Sequence, residues 1–145
     1  MIDSAFTELR TEMLAAARHL LEKRGEFMPF WMVRTSEGDI APFIVQGDER
    51  DPDAATLMAW HGEELAKLAA DGTISQSAMG ADVRMRDPAT GDPVDAVMLT
   101  FRSHDAAQDE AIPYTIETSG MVFKKRAVTF GDGQVSEPAR NEIFD

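Results

Sequence analysis

The stretch "GEFMPFWMV" (residues 25–33) places the apolar side chains of residues 27–33 in one unbroken run. A strand with one face in water alternates apolar and polar residues, and this run does not alternate. We therefore expect a strand here whose two faces are both covered. What covers the second face becomes the central question about the fold.

The residues before this run predict a helix over 4–24. Its apolar residues recur at steps of three and four, as on one face of a helix: Phe6, Leu9, Met13, Ala16 and Leu20. The cations of Lys23 and Arg24, followed by Gly25, are typical of a helix end.

The run itself opens a predicted hairpin of two strands, 27–35 and 40–46, joined by "TSEGD". The glycine favours a tight turn, because it adopts the positive φ that such turns need. Pairing about this turn places Trp31 near Ile44. We expect Pro42 at a sheet edge or at a non-bonded position, because proline has no N–H to donate.

The rest of the chain predicts a second helix and further strands. In "DPDAATLMAWHGEELAKLAADG", Asp51 caps the helix and Gly72 ends it. Alternating residues predict a second hairpin over 74–86 and 93–104. The later segments are a strand near 111–118, a sixth strand over "MVFKKRAVTF" (121–130), and an irregular tail from about 131.

These elements predict a single α+β domain over residues 1–145. The order αββαβββ with short loops favours a mostly antiparallel sheet of five or six strands. We expect the two helices to pack on one face of that sheet. The order is similar to that of profilin-like and roadblock-like modules, and an element order alone implies no function.

Two helices of this length cover one face of such a sheet, which leaves the face of Trp31 without a helix. Something else must shield it, because large apolar patches rarely stay bare on a monomer. The carboxy-terminal tail is the favoured cover, followed by a second copy of the chain and then a ligand. In an alternative interpretation the pairing register differs and both faces are core. The candidate interface residues are Trp31, Val33, Ile44 and Met98.

Charge and composition exclude several classes of function. The net charge of −12 disfavours nucleic acid and anionic membranes as partners. The absence of cysteine excludes disulfides, a thiol nucleophile and cysteine-based zinc sites. The first residues lack the pattern of a secretory signal, and no apolar run approaches the roughly 20 residues that span a bilayer. We expect a cytoplasmic protein.

One group of basic residues stands out against this acidic background. Five of them are candidates for a site that holds an anion or an acidic partner: Arg84, Arg102, Lys124, Lys125 and Arg126. The alternative is a set of cross-strand ion pairs with nearby aspartates, such as Asp82 and Asp95.

No motif assigns a catalytic, cofactor-binding or metal-binding residue. The chain has neither a G-x-S-x-G elbow nor a phosphate-binding P-loop. The spacing in "HGEE" places His61 and Glu64 on one helix face, which is compatible with metal binding. Because His61 lies in the apolar row of its helix, a partly buried, hydrogen-bonded histidine is the favoured interpretation.

Four segments together carry a resemblance: "LLEKRGEFMPF", "HGEEL", "ADVRMRDP" and "EPARNEIFD". They resemble a family of small uncharacterised bacterial proteins with a Leu-Glu-x-x-Gly-Glu-Phe-x-Pro-Phe opening and a Glu-Pro…Ile-Phe close. The opening corresponds to Leu21 through Phe30, and the close to Glu137-Pro138 with Ile143-Phe144. The resemblance implies a bacterial protein and no known activity.

Three hypotheses about function follow. The first is a non-catalytic protein-interaction module, which forms a homodimer or binds another protein. The second is a binder of small molecules or anions on the Arg84 and Arg102 side of the sheet. The third is an enzyme, which would require a deep pocket where His61 or His104 meets carboxylates.

Overall fold

The computed structural model of the chain describes residues 4–47, 50–138 and 141–144. These residues form two α-helices, preceded by a short 3-10 turn at Ser4–Phe6, and one antiparallel sheet. The predicted α+β class, with helices packed on an antiparallel sheet, is confirmed. The helices are α1 (Thr7–Arg24) and α2 (Ala54–Ala70), and the strands are β1 (Phe30–Thr35), β2 (Ile40–Phe43), β3 (Ile74–Arg86), β4 (Pro93–Ser103), β5 (Ala107–Ser119), β6 (Lys125–Phe130) and β7 (Gln134–Ser136).

The sheet has seven strands rather than the predicted five or six. Its order is β2-β1-β3-β4-β5-β6, and β7 pairs with β5 as well. Tyr114 pairs with Phe130 and Ala111 with Gln134, so one extra residue between β6 and β7 shifts the register along β5. The tail predicted as irregular from 131 therefore contains a strand. A strand of three residues is too short to show an alternation of apolar and polar residues in the sequence. Its backbone nevertheless pairs with free N–H and C=O groups of β5.

The first hairpin has a register one residue away from the predicted one. Trp31 lies opposite Phe43 rather than Ile44. The turn holds three residues, since the Thr35 N–H donates to the Asp39 carbonyl at 2.8 Å and Gly38 takes a φ of 97°. This shift moves Phe43 to the face of Trp31. Strand β2 lies at the sheet edge, where proline is tolerated.

Helix α1 covers one face of the sheet. Its buried residues recur along one stripe, and the helix packs on β6, β3, β1 and β4. The rings of Phe6 and Phe101 stack here with centroids 5.3 Å apart. The helix ends where predicted, because Gly25 has a φ of 80° and its N–H donates to the Leu21 carbonyl at 2.8 Å.

Helix α2 covers the opposite face, which corrects the prediction that both helices share one face. Adjacent residues of a strand point to opposite faces, and Met32 packs in the cluster of α1 whereas Trp31 packs in that of α2. The buried residues Leu65 of α2 and Ile143 of the tail lie against Trp31. Strand β1 is apolar on both faces. Because α1 covers only one face of the sheet, α2 is needed to cover β1 on the opposite face.

The cap of α2 also differs from the predicted residue. Asp53, not Asp51, caps the helix, and its Oδ1 accepts a hydrogen bond from the Thr56 N–H at 2.8 Å. Both aspartates precede the same apolar row, so composition alone does not separate them.

Candidate functional site

The four predicted interface residues have different surroundings. Trp31 and Val33 are only 6% and 5% exposed beneath α2, so they are core residues and offer no surface to a partner. This corrects the prediction for both. Ile44 follows β2 and is 77% exposed. Met98 is half-buried on the same face as Trp31, outside the cluster that α2 forms.

The five basic residues predicted as an anion site do not converge. In the register of β3 and β4, Arg84 lies opposite Asp95, whereas Arg102 points to the other face. Arg102 is buried and donates to the Asp109 carboxylate at 2.8 Å, and Glu142 approaches it at 3.3 Å. Two carboxylates therefore already compensate its charge. The predicted arrangement of Arg84 and Arg102 on one side of the sheet is wrong, because Arg84 shares a face with Asp95, and Asp95 and Arg102 are seven residues apart on β4, an odd number.

Arg126 has a structural role in the hairpin of β5 and β6. Its guanidinium donates to the carbonyl oxygens of Lys23 at 2.9 Å and Glu22 at 3.4 Å. These are orphan carbonyls at the end of α1, which cations stabilise. The loop end of the hairpin is thereby attached to the helix end. Lys124 and Lys125 remain exposed next to it.

The loop between β5 and β6 carries three consecutive exposed apolar residues, which we call the apolar tip: Met121, Val122 and Phe123. Met121 is 100% exposed, and the other two are 84% exposed. Gly120 turns the chain with a φ of 101°, and a Cβ there would meet the Phe123 carbonyl oxygen. The predicted sixth strand is thus wrong over 121–124, because it begins only at Lys125.

Basic residues surround the base of the apolar tip. Residues 118–131 contain no acidic side chain, the longest such stretch in the chain. Arg126 brings this stretch to the end of α1. The result is a group of exposed cations, which we call the basic patch: Lys23, Arg24, Lys124, Lys125 and Arg126. The nearest carboxylates in sequence are Glu22, Glu26, Glu117 and Asp132.

A groove of about 380 Å³ opens beside β1 and β2, between the two helices. Its lining is mostly apolar, and it includes side chains of both helices and of the edge hairpin: Ala16, His19, Leu20, Phe30, Met32, Phe43, Ile44, Leu57 and His61. Apolar grooves of this size are typical of sites for small ligands.

His61 closes the floor of this groove as a neutral, fully bonded side chain. Its ring stacks on Trp31. Since the Val45 N–H can only donate, Nε2 accepts from it at 3.0 Å and the proton lies on Nδ1, which donates to the Leu57 carbonyl at 2.8 Å. Burial lowers the pKa of His61, and the bond to Leu57 opposes this more weakly. The predicted hydrogen bonding of His61 is confirmed, and the side chain is more buried than the predicted partial burial, at 3% exposed.

The spacing of His61 and Glu64, compatible with metal binding, gains no support from the structure. Glu64 instead accepts from Lys67 at 3.3 Å on the exposed side of α2. His104, the other histidine considered for an enzyme site, lies with its ring edge-on to Phe144, 4.7 Å between centroids. The two histidines thus have separate aromatic partners.

Tyr114 and Asp82 form a polar pair below the end of α1. The Tyr114 hydroxyl donates to Asp82 Oδ1 at 2.6 Å, and the Phe27 N–H approaches Oδ2 at 3.4 Å. Burial, followed by the carboxylate of Asp82, raises the pKa of Tyr114. The phenol therefore stays protonated and links β5 to β3.

Comparisons of the chain with protein-family models, curated proteins and solved structures find no match. The resemblance to a bacterial family therefore stays a prediction. Within the described residues, no helix is both long enough and apolar enough to cross a membrane.

Proposed function

We propose that the protein is a non-catalytic interaction module that binds its partner through the apolar tip. The supporting observation is the exposure of Met121, Val122 and Phe123, at 84% or more each. Among the residues that the structure describes, the other large exposed apolar residues occur singly, at Met28, Ile44 and Met58. Scattered apolar residues are ordinary on surfaces, whereas a contiguous group suggests a binding site.

The anchoring of the hairpin supports the same proposal. Val128 is buried against α1, and Arg126 bonds to the carbonyls at the end of that helix. Strand β6 is therefore held on β5 and on α1 before any partner arrives. A pre-formed binding element loses less conformational entropy on association than a free loop does.

We do not propose a homodimer through the face of Trp31. Helix α2 and Ile143 already occupy that face. Ile44 and Met98 remain available as contact residues, but the apolar tip is more exposed than either.

Site-specific photo-crosslinking in intact cells tests the proposal. A photoreactive residue replaces Val122 in the full chain, and a matched one replaces Ile44, which is also exposed. We expect position 122 to give defined adducts, with protein or with lipid, at several times the yield of position 44. Equal yields at both positions would reject the apolar tip as the binding element.

A second candidate function is the binding of a small apolar molecule in the groove beside β1 and β2. The supporting observation is the mostly apolar lining of this groove, closed by the stacked rings of Trp31 and His61. An anilinonaphthalene sulfonate probe should bind saturably to the wild type. Ala16→Phe, which fills the groove, should abolish that binding, and Val122→Ser should leave it unchanged. Binding that survives Ala16→Phe would exclude the groove.

A further inference from the structure

We infer that the partner of the apolar tip is an anionic lipid surface, onto which the tip inserts its apolar side chains while the adjacent lysines contact the phosphates. This inference rests on the proposed interaction function and names its partner. It makes the protein a peripheral membrane-binding module, which the net charge of the whole chain does not suggest.

The shape of the tip favours a lipid surface over a protein. Met121, Val122 and Phe123 lie at the end of a hairpin and are almost fully exposed. An apolar projection of this kind enters the interfacial layer of a bilayer without a complementary pocket. A protein partner would need a matching cavity to bury the same side chains.

The charge around the tip is complementary to such a surface. Lys124 and Lys125 follow Phe123 directly, so at about 3.3 Å per extended residue both stay within about 7 Å of it along the chain. This distance places the ammonium groups at headgroup level when the tip is inserted. Apolar insertion combined with a basic patch supplies the two signals that stable peripheral binding needs.

The end of α1 strengthens this local charge. The bond from Arg126 to the Lys23 carbonyl brings Lys23 and Arg24 beside the hairpin. Glu22, Glu26, Glu117 and Asp132 lie in the same region in sequence and partly oppose the cations.

The acidic residues elsewhere in the chain determine how the protein is oriented on the lipid surface, and they do not prevent it from binding. A net charge of −12 repels an anionic surface, but the repulsion is screened over about 8 Å at physiological ionic strength. The acid-free stretch 118–131 is therefore the part of the chain that can approach. The protein should dock with the tip towards the lipid and its acidic surfaces away from it.

Vesicle flotation of the full chain tests the inference. The probes are phosphatidylcholine vesicles with and without phosphatidylserine. We expect the wild type to float only with the anionic vesicles and to be released by high salt. Val122→Ser combined with Phe123→Ser, and separately Lys124→Glu combined with Lys125→Glu, should each lower the partition coefficient at least about tenfold.

Matched controls come from exposed positions elsewhere in the chain. Ile44→Ser removes an exposed apolar residue, and Lys67→Glu reverses an exposed charge; both should bind within about twofold of the wild type. The tip variants should keep the wild-type free energy of unfolding, since the replaced side chains are exposed.

Three outcomes would overturn the inference. If the wild type does not float with anionic vesicles, a lipid surface is excluded as the partner. Crosslinking of position 122 to a protein would then still support the interaction function. Tip variants that float as well as the wild type exclude the tip. Self-association in vesicle-free buffer that the tip variants abolish would assign the tip to a second copy of the chain.

Discussion

The imidazole ring of His61 lies parallel to the indole ring of Trp31, with 3.7 Å between centroids and 6° between planes. The stack joins α2 to the run of apolar residues in β1. His61→Ala should lower the free energy of unfolding by about 3 kcal/mol, because it leaves a cavity and removes the acceptor of the Val45 N–H. Urea denaturation measures this. Met58→Ala on the same helix, at a half-exposed position, should cost less than about 1 kcal/mol.

The pH dependence of stability should report on the same residue. Burial lowers the pKa of His61 in the folded protein, so the unfolded chain takes up its proton more readily. The stability contributed by neutral His61 is complete above the unfolded pKa of about 6.5 and is lost as the pH falls from there through the lower folded pKa. Denaturation between about pH 7.5 and pH 5.5 should show this decline.

His61→Phe should weaken the pH dependence in that range, since phenylalanine keeps a ring and carries no titrating group. Met58→Ala, which replaces a residue of the same helix that does not titrate, should leave it unchanged. An unaltered slope in His61→Phe would show that another group causes the decline.

The ion pair between Arg10 and Glu110 should matter more than a surface pair. Both guanidinium contacts to the carboxylate are short, at 2.6 and 2.9 Å, and Glu110 is 4% exposed. The hydrogen bond that Arg10 donates to Glu110 is the main cause that raises the pKa of Arg10. Glu110→Ala should cost about 2 kcal/mol, since it leaves a half-buried cation without its partner. Glu8→Ala, which breaks the exposed pair with Arg34, should cost less than about 1 kcal/mol in the same measurement.

Two glycines should respond to alanine with opposite signs. A Cβ at Gly133 would collide with the Glu110 carboxylate, so Gly133→Ala should lower stability by about 2 kcal/mol. A Cβ at Gly62 would meet nothing within 4 Å inside α2, so Gly62→Ala should raise stability by up to about 1 kcal/mol. Thermal unfolding of both variants checks the pair, and the same sign in both would contradict the geometry.

Local patterns predicted the elements better than their arrangement. Strand β3 has the predicted bounds of 74–86 because its alternation and its flanking turn residues lie within one segment. The face that α2 covers depends on contacts of Trp31 with Leu65 and Ile143, which lie far apart in sequence. The hairpin register depends on one residue of turn length.

The candidate site shows the same division. The basic run at 124–126 was predicted as a feature, but its members have different roles that only the packing of α1 reveals: Arg126 caps a helix, while the lysines stay exposed. The apolar tip was predicted as strand because three apolar residues beside further apolar positions are typical of strands. The sequence feature that could have located the apolar tip was Gly120 followed by a stretch without acidic residues.

The contacts of α1 impose an order on assembly. Phe6 stacks on Phe101, and Arg18 donates to the Val128 carbonyl at 2.6 Å. Each of these two contacts closes a loop of roughly a hundred residues. During translation the apolar face of α1 therefore stays exposed until β4 and β6 have been made. Helix α1 is translated before β4 and β6 and can dock only after them, so its apolar face is exposed during that interval and can promote aggregation.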